Sequence, residues 1–323
     1  MQKKRSVFLL RPHPGCWHST MLKVCIFIFL SSSTTISIAQ QDPLYSQYIN
    51  NFFLLNPAYA GMSNNLNTAI SYRQQWSGVP GSPQTLNANG HISLLNNKVG
   101  AGLMLISDKI GYTTTNEALA SYSYRIRLTK EKILAFGLQG GVSNYQFDNS
   151  KLNPQDPSDP LFQGSLSQFK PSIGAGVILK NDRFFIGLSV PRMLKATFQA
   201  AGQQPVLYTQ NFYLMGSYII FINERLRLKP SVLVKKVIGS PTSVDLNVAL
   251  VLNENILVGA LTRNLNTYGV FMQAYIKNFF RFGYVFEVPT SQSVGTNFTT
   301  NEITLGFRMD VFRFHKNASI MSF

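Results

Sequence analysis

From about residue 66 onwards the sequence alternates between apolar and polar side chains with a period of two. In segment 118–128 the even positions are apolar or aromatic, whereas most odd positions carry Ser or Arg. The same alternation recurs over 226–236 and 303–311. Because successive side chains of a β-strand point to opposite faces, the pattern predicts strands with one apolar and one polar face. A soluble β-sandwich also alternates, so alternation alone does not decide the fold class.

The number and length of the segments narrow the choice. About fourteen alternating segments follow one another, and most have the roughly 9–11 residues that a tilted strand needs to cross a bilayer. No stretch after residue 40 is apolar for the roughly 18 residues that would suggest a membrane-spanning helix. The predicted strands are 66–76, 83–94, 98–107, 116–128, 132–147, 168–180, 183–190, 209–221, 226–237, 242–252, 255–264, 267–277, 280–288 and 300–312.

The connections are sorted by length. Short turns rich in Asn follow the even-numbered segments, as at Asn96-Asn97 and Asn253-Glu254. Several connections after odd-numbered segments are longer: 108–115, 148–167, 191–208 and 289–299. Short periplasmic turns, long external loops and an even strand count with both ends periplasmic are typical of outer-membrane barrels. We therefore predict an all-β fold, a transmembrane antiparallel β-barrel of about 14 strands over residues 66–323, surrounded by outer-membrane lipid.

The N-terminus has the pattern of an export signal. Basic residues precede the apolar run Val24–Leu30, and small and polar residues lead to Ala39. The apolar run is much shorter than the roughly 20 residues of a membrane-spanning helix. We expect residues 1–39 to be a cleaved signal peptide, starting at Met1 or at Met21, and the protein to reside in the outer membrane of a Gram-negative cell.

Composition removes several classes of function. Both cysteines, Cys16 and Cys25, lie in the predicted signal peptide, which excludes disulfides and thiolate metal sites after it. The only histidines beyond it are His91 and His315, and phosphate-loop, dinucleotide, zinc and Gly-x-Ser-x-Gly motifs are absent. The basic excess is scattered over the strands, which does not support nucleic-acid binding. We expect no enzyme, no catalytic or metal site and no cofactor.

Residues 40–65, between the signal peptide and the first strand, are rich in turn formers and aromatics and are predicted as a short non-barrel segment. The alternatives stay open: the segment is a turn-rich periplasmic stretch that positions the first strand and could meet a partner, or residues 40–63 form a small plug that folds into the lumen or across its periplasmic mouth. Since it follows the signal peptide directly, we expect it to begin at the periplasmic end. The candidate partner-binding or plug residues are Asp42, Pro43, Tyr45, Asn56, Pro57, Ala58, Tyr59 and Gly61.

Basic side chains fall on the polar face of the predicted strands. A lipid-facing charge would cost several kcal/mol at the bilayer midplane, so this face should line the lumen. Two interpretations remain: the cations pair with carboxylates across strands, or they form an anion-attracting pore or a dock for an acidic partner segment. The candidate lumen-facing basic residues are Arg73, Arg125, Arg127, Arg227, Lys229, Arg263, Arg281 and Arg308.

Three stretches near the start, Gln41–Tyr48, Asn56–Gly61 and Arg73–Trp76, carry a resemblance to a known family. With weaker support from Phe185–Pro191, the sequence resembles the PorP/SprF family of Bacteroidetes outer-membrane proteins associated with type IX secretion. It departs from the usual family pattern at Asn301, where a histidine is common. A role that depends on that histidine is therefore not carried over.

The resemblance implies a barrel that engages, delivers or anchors a secreted surface protein such as an adhesin, in a pathway linked to gliding motility. The implied partners are a secreted type IX substrate protein and periplasmic components of the secretion system. An outer-membrane channel for small solutes is the alternative, and a membrane-embedded hydrolase that uses His91 or a lumen serine is a second rival. The residues themselves indicate the barrel, whereas the partner role rests on the resemblance alone.

Overall fold

Fourteen strands close into one antiparallel barrel. The computed structural model describes residues 46, 48, 51–148, 165–197, 206–277, 279–290 and 298–315. Its strands are β1 (Leu66–Gln74), β2 (Gln84–Leu94), β3 (Val99–Ile110), β4 (Thr113–Arg127), β5 (Ile133–Asp148), β6 (Ser165–Lys180), β7 (Phe184–Val190), β8 (Ala196–Thr197), β9 (Val206–Tyr208), β10 (Asn211–Tyr218), β11 (Ile220–Phe221), β12 (Leu226–Val237), β13 (Ser243–Leu252), β14 (Ile256–Arg263), β15 (Thr267–Ile276), β16 (Phe280–Pro289) and β17 (Thr300–Met309).

Each barrel strand pairs with its neighbours in the chain, and β1 pairs with β17 to complete the ring. Strand β10 pairs with both β7 and β12, while the short β11 follows it along β12. Strands β8 and β9 form a separate two-stranded sheet. The predicted all-β barrel of about fourteen strands is confirmed. No helix in the described part of the chain is both long and apolar enough to cross a membrane.

The alternation in sequence becomes two different faces of the wall. Large apolar side chains on the outward parity are exposed around the barrel, for example Leu103 at 66% and Leu138 at 64%. The inward parity carries buried polar residues such as Ser121 and Asn247 together with smaller apolar groups. Burying an outward apolar belt against lipid and the inward polar groups inside the barrel satisfies both faces.

The turns define two ends of the barrel. The short-turn end carries the connections 95–98, 128–132, 181–183, 222–225, 253–255 and 277–279. The long-loop end carries the other hairpins, including 75–83, 191–210 and 290–299. The connection 149–164 and parts of two others, 198–205 and 291–297, lie outside the described residues, as does the predicted signal peptide.

The expected long loop at 108–115 is wrong, because β3 and β4 continue to a tight turn at Gly111 and Tyr112. Gly111 has φ +59, which glycine adopts without strain. The polar run that suggested a loop is part of the strand, where the buried Asp108 accepts a hydrogen bond from Thr85 at 2.5 Å. The two strands therefore continue further toward the long-loop end than predicted, because these polar residues are paired within the sheet.

Part of the predicted external loop 191–208 folds inward instead. The carbonyl of Pro191 lies against Gly174 on the inner face of β6, so closely that a Cβ there would be 2.1 Å from it. Arg192 forms a buried ion pair with Glu117 of β4. The pair β8 and β9 adds a small cluster in which Ala196 and Tyr208 bury Tyr145. This loop covers the inner wall of the longest strands near the long-loop end.

Candidate functional site

The lumen is occupied by the chain that precedes β1. We call residues 46, 48 and 51–65 the lumen segment; nearly all of its apolar residues are buried. It contains two 3-10 turns, Phe52–Leu54 and Pro57–Tyr59. The second begins where Asn56 caps it, accepting a hydrogen bond from the amide of Ala58 at 2.9 Å, with Pro57 at the first position. The local sequence therefore fixes the bend that lets the segment follow the inner wall.

Inward-facing glycines form the surface on which the segment lies. We call Gly100, Gly137 and Gly176, on β3, β5 and β6, the glycine seat. A Cβ added at these positions would approach Ala60 O to 1.9 Å, Ala58 N to 2.1 Å and Asn56 Oδ1 to 2.1 Å, respectively. No side chain fits in that space, so the segment backbone can approach the wall only because these residues are glycine.

Hydrogen bonds join the segment to the wall above this seat. The side-chain amide of Asn56, which is fully buried, donates to the carbonyls of Val177 at 3.2 Å and Leu188 at 3.1 Å. The hydroxyl of Ser189 donates to Leu55 O, and that of Ser123 donates to Ala60 O, both at 2.7 Å. These bonds give buried polar groups of the segment partners in the wall.

The end of the segment is held by Arg125 and His91. Arg125 donates to Gly61 O at 2.6 Å and to the wall at Val99 O and Ser93 Oγ, both at 2.7 Å. The ring nitrogen Nδ1 of His91 accepts from the Gly61 amide at 3.1 Å. A cation that links three acceptors in this way ties the segment to β2, β3 and β4 near the short-turn end.

Aromatic contacts fill the middle of the barrel. Phe52 stacks on Phe185 of β7 with ring centroids 4.3 Å apart, and Lys229 Nζ lies 5.7 Å from the Phe52 centroid. Phe53 and Tyr59 meet the ring of His91 edge-on at 5.1 and 5.8 Å. These rings belong to a buried apolar cluster that also includes Met104, Leu119, Ile178, Met215, Leu233, Ala249, Leu257, Phe271 and Val285. Inward side chains from both halves of the barrel therefore form one apolar core with the segment.

Five ionisable side chains surround the start of the segment. The charged cluster, as we call it, consists of Arg73 (β1), Asp245 (β13), Arg263 (β14), Glu287 (β16) and Glu302 (β17), all buried. Arg73 bonds Glu287 at 2.7 Å and Glu302 at 3.1 Å, and Arg263 bonds Asp245 at 2.9 Å.

Ser46 joins this cluster: its amide donates to Glu302 at 2.8 Å and its hydroxyl to Glu287, while Arg73 donates to the hydroxyl at 3.0 Å. Two uncharged contacts follow along the chain. The Tyr48 hydroxyl accepts from Asn247 of β13 at 2.6 Å, and Asn51 donates to Asn89 of β2 at 3.1 Å. The segment thus contacts both halves of the wall.

The remaining predicted residues are dispersed. Arg281 is buried on the inner face, Arg308 lies 5.5 Å from the ring of Tyr275, and Arg227 forms an ion pair with Glu254 near the short-turn end. Arg127 is exposed at the end of β4. The structure thus brings only some of the predicted basic residues to the segment. Asp42, Pro43 and Tyr45 lie outside the described residues.

Sequence reasoning missed the glycine seat and the carboxylate Glu302. A usable signal exists for the glycines, since Gly100, Gly137 and Gly176 fall on the polar parity of their strands without supplying a polar group. Glycine in a strand interior often marks a close backbone approach. Glu302 lies on the inward parity of β17, but no residue near it in the sequence indicates that its partner is Arg73.

The closed antiparallel ring with an outward apolar belt defines the class: this is an outer-membrane β-barrel. The model of the family described as type IX secretion system membrane protein PorP/SprF matches residues 37–307, and the chain belongs to this family. The protein is therefore an outer-membrane component of the type IX secretion context. Its family and fold point to a secretion or transport membrane protein.

Among solved structures, the chain is similar to the Acinetobacter baumannii outer membrane protein Omp33, with 10% identity over 77% of this chain and 100% of that one and a TM-score of 0.44. It is also similar to the CymD monoaromatic hydrocarbon channel, with 8% identity, coverage of 84% and 94% and a TM-score of 0.48. The KdgM porin matches with 9% identity, coverage of 75% and 99% and a TM-score of 0.36. A search of curated protein sequences found no match.

Proposed function

We propose that the protein is an accessory barrel of the type IX secretion system that engages, delivers or anchors a secreted surface protein such as an adhesin. The observation that carries the proposal is the filled lumen, taken together with the family. A barrel whose interior is packed with its own chain acts through its rims rather than through an open pore. Its long-loop end would meet the secreted partner, and its short-turn end would meet periplasmic components of the secretion system.

The alternative of a small-solute channel requires a continuous aqueous path, which the apolar core around Phe52 and Phe185 opposes. Planar bilayer recordings of the purified barrel test this directly. We expect the intact protein to conduct little and a variant that lacks residues 40–63 to conduct more, since the core then loses its centre. High conductance of the intact protein would favour the channel.

The two histidines beyond the predicted signal peptide give no support to catalysis. His91 accepts the Gly61 amide and packs between aromatic rings, while His315 contacts the carbonyl of Ser93 at 2.9 Å and the backbone of the C-terminal tail. Each is used in holding the chain in place, so we propose that neither carries out a reaction.

Chromosomal deletion followed by surface proteomics tests the partner role. We expect the loss of one specific secreted protein from the cell surface and its recovery when the wild-type gene is returned. A second strain should carry the Gly140→Val variant, which alters an outward position with nothing within 4 Å and should behave as wild type. An unchanged set of surface proteins in the deletion strain contradicts the proposal.

A further inference from the structure

The lumen segment runs along the barrel in one direction, from the long-loop end to the short-turn end. Ser46 contacts Arg73, Glu287 and Glu302, each within two residues of the long-loop end of its strand. Gly61 contacts Arg125, which lies two residues from the short-turn end of β4, and passes close to Gly100 at the start of β3. The two ends of the segment are therefore at opposite ends of the barrel.

Intermediate contacts follow the same order. Tyr48 meets Asn247 and Asn51 meets Asn89, both in the middle of their strands, whereas Asn56 reaches Val177 near the short-turn end of β6. The roughly 15 residues from Ser46 to Gly61 can span about 50 Å when extended, well above the roughly 30 Å length of a nine-residue strand. The chain thus has enough length to cross the lumen and still form two 3-10 turns.

From these contacts we infer that the protein is threaded through its own barrel, so that the chain preceding Ser46 leaves the lumen at the long-loop end. This is the reverse of the sequence-based expectation that the segment begins at the periplasmic end. If the long loops face outward, we expect the predicted mature N-terminus to be accessible from the cell surface, even though β1 starts from the periplasmic side.

The charged cluster supports this direction. It holds Ser46 through both its backbone amide and its hydroxyl, with side chains from strands β1, β16 and β17, so the start of the segment is fixed at this end. Arg263 adds a longer contact to the Ser46 hydroxyl at 3.4 Å. Hydrogen bonds to charged groups contribute more than those between neutral groups, so these contacts favour a permanent placement of Ser46 over one that samples both ends. The inference does not depend on the partner role proposed above.

Single cysteines test the threading in intact cells, because the only natural cysteines, Cys16 and Cys25, lie within the predicted signal peptide. Asp42→Cys reports the chain before Ser46. Thr242→Cys, exposed in the 238–242 turn, marks the long-loop end, and Lys130→Cys, exposed in the 128–132 turn, marks the short-turn end. Each variant is treated with a membrane-impermeant maleimide before and after the outer membrane is opened.

We expect Asp42→Cys to be labelled in intact cells to the level of Thr242→Cys, and Lys130→Cys to lose labelling unless the membrane is opened. If Lys130→Cys is labelled from outside and the other two are not, the barrel orientation is reversed but the threading stands. The inference is overturned if Asp42→Cys shows the same labelling pattern as Lys130→Cys. It is also overturned if Asp42→Cys is protected both before and after the outer membrane is opened. Should Asp42→Cys fail to reach the membrane, Gln41→Cys serves as the second variant with the same outcomes.

Discussion

A side chain at Gly137 should lift the lumen segment off the wall. In Gly137→Val the new Cβ would lie 2.1 Å from Ala58 N, whereas ordinary contacts begin at 3.4 Å, so the segment must move by about 1 Å or more. The matched control is Gly140→Val on the same strand, which faces outward with nothing within 4 Å. Both changes add the same volume to β5, and only one of them touches the segment.

The cost follows from the bonds that such a shift breaks. The bonds of Asn56 to Val177 O and Leu188 O at 3.2 and 3.1 Å, and that of Ser123 to Ala60 O, leave hydrogen-bonding range. At about 1 kcal/mol each, their loss destabilises the seated segment by about 3 kcal/mol. Because 1.4 kcal/mol corresponds to a tenfold change, the unseated fraction should rise by roughly 100-fold.

A buried cysteine measures that fraction. Leu54→Cys, at a position 7% exposed in the segment, reacts with a maleimide only when the segment opens, so its labelling rate follows the open population. The rate in the Gly137→Val background should exceed that in the Gly140→Val background by roughly 100-fold. Only barrel that keeps its heat-modifiable mobility on a gel is scored. Equal rates in the two backgrounds would refute the glycine seat.

Three further predictions concern the wall. Arg125→Gln should raise Leu54→Cys labelling, because charge-assisted bonds worth roughly 3 kcal/mol are lost, whereas Arg127→Gln, at an exposed strand end, should not. Arg73→Gln should lower the unfolding temperature through a loss of about 3–5 kcal/mol, since Glu287 and Glu302 are left without their shared cation; an unchanged temperature would speak against the ion pairs. Tyr122→Arg, on the outward face of β4, should cost up to about 2–4 kcal/mol in urea unfolding from lipid vesicles, and no loss would argue against a lipid-facing belt.

The wall was predictable because lipid imposes a strict rule on one face of each strand. Every second residue around Leu103 and Leu138 is apolar because it faces lipid, and the number and order of the strands follow from this alternation. Prediction was poorest at Asp108 and Gly111, where β3 and β4 extend and buried polar residues interrupt the apolar pattern. There, a polar residue that is satisfied by a neighbouring strand resembles a loop in the sequence.

The interior was less predictable because its specificity is held by residues far apart in the chain. The sequence around Asn56 predicts a capped turn, but such a turn would form equally well in a periplasmic segment and in one inside the lumen. Its position in the lumen depends on the space left by Gly176 and on the carbonyl of Leu188, which are both more than a hundred residues away in the sequence. Parity alone puts Arg125 on the inner face, but it does not reveal that Gly61 is its acceptor.

The path of the lumen segment also constrains the order in which the barrel can be completed. The hydrogen bonds of residues 51–61 to the wall are with strands β2 to β7, which follow soon after them in the sequence, whereas those of Ser46 and Tyr48 are with β1, β13, β16 and β17. A finished ring would have to be entered by the chain end, so we expect the early strands to assemble as a curved half-shell around the segment. The β1–β17 seam would then close last, and the ion pair between Arg73 and Glu302 across this seam would stabilise the closed ring.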